Sequence, residues 1–324
     1  MQFRRFKLTG LVVLSSLFAV HLSAKEVVKM GAGFGLPFSP AVKAGNFVYV
    51  SGRLATDEKG RLVPGTIQEQ ARRILNHLSS VLKASDSRME NVASVNVYLK
   101  NAADFEAMNE VYRGFWAKDP PTRTTVVTDL VLPDALVEIA MVAIKDGADR
   151  RVVHPAGWNK SPNYSYGIQS GDTLFLAGLV ARNMKDNKIV AGDIGLQTQT
   201  ILSNAGEILK AAGMTHTDVA SSRVFITDAA KFQDMNAAYR PFFPKDPPAR
   251  ATVKAALMNP AFQVEITLLA VNSSHREAIN PPGADGKPAR PSPNYSSGIR
   301  VGNRLYVAGM VGSTESNKGD GMNV

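Results

Sequence analysis

The chain has 324 residues, a formal charge of +9 and no cysteine. That length fits two average domains, and the missing cysteine excludes disulfides, thiolate metal sites, a lipoprotein anchor and a cysteine nucleophile. The basic excess is not gathered into a Lys/Arg block interleaved with aromatics, so nucleic acid is not an expected partner.

The chain opens MQFRRFK, with Arg4, Arg5 and Lys7, and continues through the apolar run LVVLSSLFAV to Ser23, Ala24 and Lys25. A basic start, a short apolar stretch and small residues before a polar one predict a cleaved secretory signal peptide over 1–24. The apolar run is well short of the ~20 residues that cross a bilayer. The expectation is a periplasmic or secreted protein starting near Lys25, with no stable membrane anchor after cleavage.

NFVYVSG then reads as a strand that ends at Ser51 and Gly52. Thr66 and Glu69 form a capping box ahead of a helix whose apolar face is Ile67, Ala71, Ile74, Leu75, Leu78, Val81 and Leu82. The strand VASVNVYLK follows from Val92, and a second helix from Asp104 carries Phe105, Met108, Tyr112, Phe115 and Trp116 on one stripe. Pro120 and Pro121 stop that helix. Strands in TRTTVVTDL and VEIAMVAI close a ββαβαββ unit, a mixed sheet with two helices on one face, hence α+β.

The unit is then repeated. NFVYVSG recurs as DTLFLAG and again as NRLYVAG, KDPPTRTTV as KDPPARATV, and VEIAMVAI as VEITLLAV. The offset is 126 residues from Gly52 to Gly178 but 127 from Arg123 to Arg250, which places a one-residue insertion in the loop after the first strand. The predicted organisation is unit 1 over 25–147, unit 2 over 148–273, a Pro/Gly/Ser-rich linker over 274–293 and the first hairpin of a third unit over 294–324. That hairpin offers an apolar face, Leu305 and Val307, with no helix of its own. Either the hairpin borrows cover from units 1 and 2 or the natural product is longer; the expectation is a pseudo-dimer of units with an unfilled third position whose exposed surface drives self-association or aggregation.

Polar residues break the apolar pattern at equivalent places in both units. Asn109 and Asn236 lie on the stripe of the second helix; each is either a structural amide or part of a site. Arg123 and Glu138 lie on successive strands fifteen residues apart, and Arg250 and Glu265 keep that spacing. A cross-strand ion pair is one reading. A carboxylate-binding site is the other, because a buried arginine is unfavourable unless fully paired and its fork grips a planar carboxylate in two places. The five histidines share no position between units, which argues against a metal or histidine-based centre.

PFSPAVKAGNFVYVSG, FEAMNEVYRGFW and the PPTR…LP…VEIAMVAI ending, with their second copies, resemble the RidA/YjgF family of reactive-intermediate (enamine/imine) deaminases. The resemblance implies a chorismate-mutase-like unit, trimers with a cleft between neighbouring units, and hydrolysis of 2-imino acids to 2-keto acids and ammonia without metal or cofactor. It implies that Arg123 and Arg250 bind the carboxylate of an imine or keto acid, and that Glu138 and Glu265 hold the attacking water. It also implies that Asn109, Asn236, an aromatic at Phe38, Tyr164 or Tyr295, Ser51, and the backbone at Gly52, Gly178 or Gly309 line the clefts. Two departures stand out: Phe38 lacks a hydroxyl, and Ala177 and Ala308 replace the serine. An exported binding protein for small carboxylates is the competing expectation. Ribonuclease activity, described for some relatives, finds no histidine pair or basic groove here.

Overall fold

The capping box forms as its spacing predicts: the Thr66 hydroxyl accepts from the Glu69 N–H, and the Glu69 carboxylate accepts from the Thr66 N–H at 2.7 Å. It opens α1 (Ile67–Lys83), which lays its apolar face on a sheet together with α2 (Phe105–Phe115). This computed structural model describes residues 25–30, 38–282 and 292–311; the leader expected at 1–24 lies outside the described residues. The first sheet contains β1 (Glu26–Val28), β2 (Ala41–Ala44), β3 (Phe47–Arg53), β4 (Val92–Leu99), β5 (Thr122–Val127) and β6 (Val137–Ile144). Its order is β1-β2-β3-β6-β4-β5, and β4 with β5 is the parallel pair.

Unit 2 repeats this with β7 (Arg151–Val153), β8 (Gly167–Ser170), β9 (Thr173–Leu176), α3 (Ile194–Ala211), β10 (Val219–Ile226), α4 (Phe232–Tyr239), β11 (Ala249–Lys254) and β12 (Val264–Val271). Asp193 caps α3 at the place of Thr66. In each unit the helices bury one sheet face, with Ile74, Leu75, Leu78, Val97, Ile139 and Met141 at the centre of the first core.

A third sheet holds β13 (Arg276–Ile279), β14 (Gly298–Val301) and β15 (Arg304–Val307). Here the structure departs from the linker read at 274–293. β13 pairs antiparallel with β14 as β7 pairs with β8 and β1 with β2. Four residues, REAI, beside a Pro/Gly-rich run are too short a signal for composition to catch. Residues 283–291 lie outside the described residues. Leu305 and Val307 are 54% and 61% exposed. Their counterparts Leu174 and Leu176 are buried in the core beneath the helices of unit 2.

The second faces of the two sheets are apolar as well and meet each other. Phe47 and Ile144 of unit 1 pack with Ile168 and Phe175 of unit 2, and the two phenyl rings stand edge to face 5.4 Å apart. The joint also has a polar signature that occurs twice. Gly178 N–H donates to Arg123 O (3.0 Å) and Ser165 N–H to Pro121 O. Between unit 2 and the third sheet, Gly309 N–H donates to Arg250 O (3.1 Å) and Ser296 N–H to Pro248 O. Each arginine-bearing edge strand therefore docks on the glycine of the unit that follows it, and the chain steps round by one repeated operation.

Candidate active site

α2 ends at Phe115, five residues before Pro120, and the Pro120–Pro121 pair leads the chain extended into β5, so that Arg123 lies beneath the helix and at the sheet edge. Its guanidinium sits over the Tyr112 ring, 4.7 Å from the centroid, and 5.4 Å from that of Phe105. Nη1 donates to Asn109 Oδ1 at 2.8 Å. Burial lowers the Arg123 pKa, and the aromatic faces with the amide oxygen offset that burial. Arg250 is built the same way, over Tyr239 at 4.8 Å and donating to Asn236 Oδ1 at 2.7 Å. Asn109 and Asn236 are fully buried, so they hold the arginines and do not line a cleft.

The ion-pair reading fails within both units. In the sheet order β4 separates β5 from β6, and β10 separates β11 from β12, so Arg123 does not reach Glu138, nor Arg250 Glu265. Among the described residues neither pair forms a salt bridge. The partners come from different units instead. Arg123 of unit 1 and Tyr164, Gly178 and Glu265 of unit 2 line one cleft of about 450 Å³. The units are stitched together beside it by a 2.6 Å hydroxyl bond between Thr124 and Thr267.

Glu265 is buried, with the Thr125 amide and the Arg123 and Arg223 cations acting on it. Burial outweighs them and pushes its pKa up to about 8, so the carboxyl is neutral at pH 7. Gly178 makes its room: a Cβ there would run into Glu265 Oε1 and stand 2.9 Å from Thr124 Oγ1. The Gly178 amide already donates to Arg123 O, so the backbone donor expected there for substrate is occupied by the unit joint. Tyr164 is half-buried in the cleft, and the Arg123 cation opposes the upward shift that burial gives its phenol.

The remaining predicted residues divide between two partial sites. Phe38, Ser51, Gly52 and Glu138 line a pocket of about 420 Å³ on the open side of unit 1. Gly52 stands against Glu138 Oε1 as Gly178 does against Glu265, and burial alone raises the Glu138 pKa. No arginine from another unit faces it among the described residues. The Ser51 hydroxyl donates to Ser39 O at 2.6 Å and so braces the loop that carries Phe38. On the other side Arg250 faces Tyr295 and Gly309. There the Arg250 Nη1 and Asn236 Nδ2 are buried without partners, and no glutamate joins them among the described residues. Sequence reasoning missed Arg182, which lines the complete cleft. It has no copy in unit 1, where Thr56 holds its place, so a search for repeated polar residues passes over it.

The sequence model of the family described as Endoribonuclease L-PSP matches residues 35–145 and 158–272. A RutC family protein of Pyrococcus horikoshii is 38% identical over 111 residues, covering 34% of this chain and 88% of that protein. The 3-aminoacrylate deaminase RutC of Acinetobacter baylyi is 39% identical over 33% of this chain and 86% of its own length. The 2-iminobutanoate/2-iminopropanoate deaminase of Dermatophagoides farinae is 33% identical over 33% of this chain and 85% of its own length.

Proposed function

The chain belongs to this family, RidA/YjgF, as two tandem units, and from that premise we propose that the cleft between them hydrolyses 2-imino and enamine acids to 2-keto acids and ammonia. The observation that carries this reading is that Arg123 of one unit and the buried Glu265 of the other line one cleft. Arg123 is held by Asn109 and the Tyr112 face and binds the substrate carboxylate through its fork. That contact positions the C–N carbon beside Glu265, and positioning supplies much of the rate for so electrophilic a centre.

With an enamine, protonated Glu265 delivers its proton to the β-carbon and leaves an iminium and a carboxylate. A water oxygen then attacks the iminium carbon while the C=N π pair moves to nitrogen. Glu265 takes the proton from the water and returns it to nitrogen. The C–N bond breaks as Glu265 takes the hydroxyl proton and the carbonyl forms, which releases ammonia and restores the protonated carboxyl. A carboxyl that titrates near neutrality suits both halves of this exchange. Export to the periplasm or beyond remains part of the proposal and rests on the sequence of residues 1–24.

The test generates the imine in situ with an amino-acid oxidase and traps surviving imine as its semicarbazone. Wild-type protein should suppress trapping and speed keto-acid release, and Glu265→Gln should do neither. Equal trapping with and without the wild-type protein would reject the reaction. Arg123-dependent binding of a keto acid under those conditions would favour the carboxylate-binding protein instead.

A further inference from the structure

The complete cleft contains a second guanidinium that the chemistry above does not use. Arg182 lies in the loop between β9 and α3, the loop that carries the one-residue insertion relative to unit 1. Four contacts hold it. Its backbone bridges to Ile189 and its carbonyl accepts from Asn204 Nδ2 at 2.9 Å. Nη1 donates to Asn187 O at 2.7 Å, and the guanidinium stacks 5.0 Å from the Phe262 ring centroid. No carboxylate pairs with it among the described residues. Arg182 and Arg123 reach the cleft from different units, and Tyr164 feels both cations.

The charge balance of the lining points the same way. Three basic side chains, Arg123, Lys160 and Arg182, and one acidic one, Glu265, line the cleft. A single substrate carboxylate is satisfied by Arg123 alone, which leaves a fixed, braced arginine facing the same space. Two immobilised guanidiniums that reach one cleft from different units are suited to two carboxylates on one molecule. The pocket of unit 1 has a single arginine in its lining, Arg53 of its own unit, and Thr56 stands where Arg182 does.

We propose that Arg182 is a specificity-determining residue that binds a distal carboxylate, so that the cleft prefers imines of dicarboxylic amino acids to those of simple aliphatic ones. This rests on the reading of the cleft as an imine hydrolase, and the test separates the two. Hydrolysis of the imine generated from aspartate is compared with that from alanine, each by the appropriate oxidase, for the full chain and for Arg182→Thr and Arg182→Lys. In parallel, binding of oxaloacetate and pyruvate is measured by calorimetry. Wild type should favour the four-carbon diacid in both assays. Arg182→Thr should lower the diacid-to-monoacid ratio about tenfold or more, the size expected for loss of a hydrogen-bonded charge, chiefly through KM, and Arg182→Lys should restore part of it. A binding preference that is lost in Arg182→Thr, without turnover of either imine, would reject the hydrolase and keep this assignment. Equal wild-type affinity for the two acids, or an unchanged ratio in Arg182→Thr, would overturn it.

Discussion

Arg123 and Arg250 rest on the same helix stripe, over the same tyrosine, held by the same asparagine, yet their surroundings differ. Around Arg123 the following unit is entire and supplies a tyrosine, a glycine and a buried glutamate. Around Arg250 the described residues supply Tyr295 and Gly309 only, and one of its buried nitrogens has no partner. On the open side of unit 1, Glu138 has its glycine and Arg53 of its own unit, but among the described residues no arginine from another unit. One repeated unit thus yields a whole site only where two full copies meet, because the arginine and the glutamate of any unit face different neighbours.

The largest consequence should be an asymmetry between identical-looking substitutions. Arg123→Ala is expected to lower kcat/KM for imine hydrolysis about 100-fold or more, the scale for removing one partner of a desolvated charge contact. Arg250→Ala should stay within about threefold of wild type. Thermal unfolding of both variants checks that each loses its aromatic stacking to a similar degree. Equal kinetic losses would erase the distinction between the two clefts.

Glycine offers a second, smaller asymmetry. Gly178→Ala thrusts a methyl against Glu265 Oε1 and should cost about tenfold or more in rate by displacing the carboxyl. Gly52→Ala does the same to Glu138 and should leave turnover within about twofold. Both should lose about 1–3 kcal/mol of stability to overpacking, read by denaturant titration.

Stability against pH sharpens the comparison further. Glu265 titrates at about 8 in the folded protein against an ordinary 4.5, so between those values the native state holds a proton that the unfolded chain has released. Stability therefore falls as pH rises through that window, by at most ~1.4 kcal/mol per pH unit. Glu265→Gln should remove that slope and raise the unfolding temperature at pH 8 relative to wild type. The difference should close towards pH 4.5. Glu138→Gln should act in the same direction but more weakly, since Glu138 is only half-buried.

Much of this architecture was legible in the chain. The capping box at Thr66, the two helix stripes and the repeated arginine and glutamate all express local periodicity or repetition, and both survive in a linear text. Which glutamate meets which arginine did not, because spacing along one unit cannot reveal that β4 separates β5 from β6. Asn109 read equally as a structural amide or a site residue, and only the 2.8 Å bond to Arg123 decides its part. Arg182 was hidden for the opposite reason: it is single, and its ring partner Phe262 lies eighty residues away. β13 carries little strand signal because its four residues, REAI, do not alternate polar with apolar and lie beside a proline-rich run.

Among the described residues one cleft is complete, made by Arg123 of one unit and Glu265 of the other. Calorimetric titration of the full chain with a 2-keto acid tests it most directly. The expected result is one bound ligand per chain, lost in Arg123→Ala and kept in Arg250→Ala; two equivalent ligands per chain, or a single one that disappears with Arg250→Ala, would contradict it.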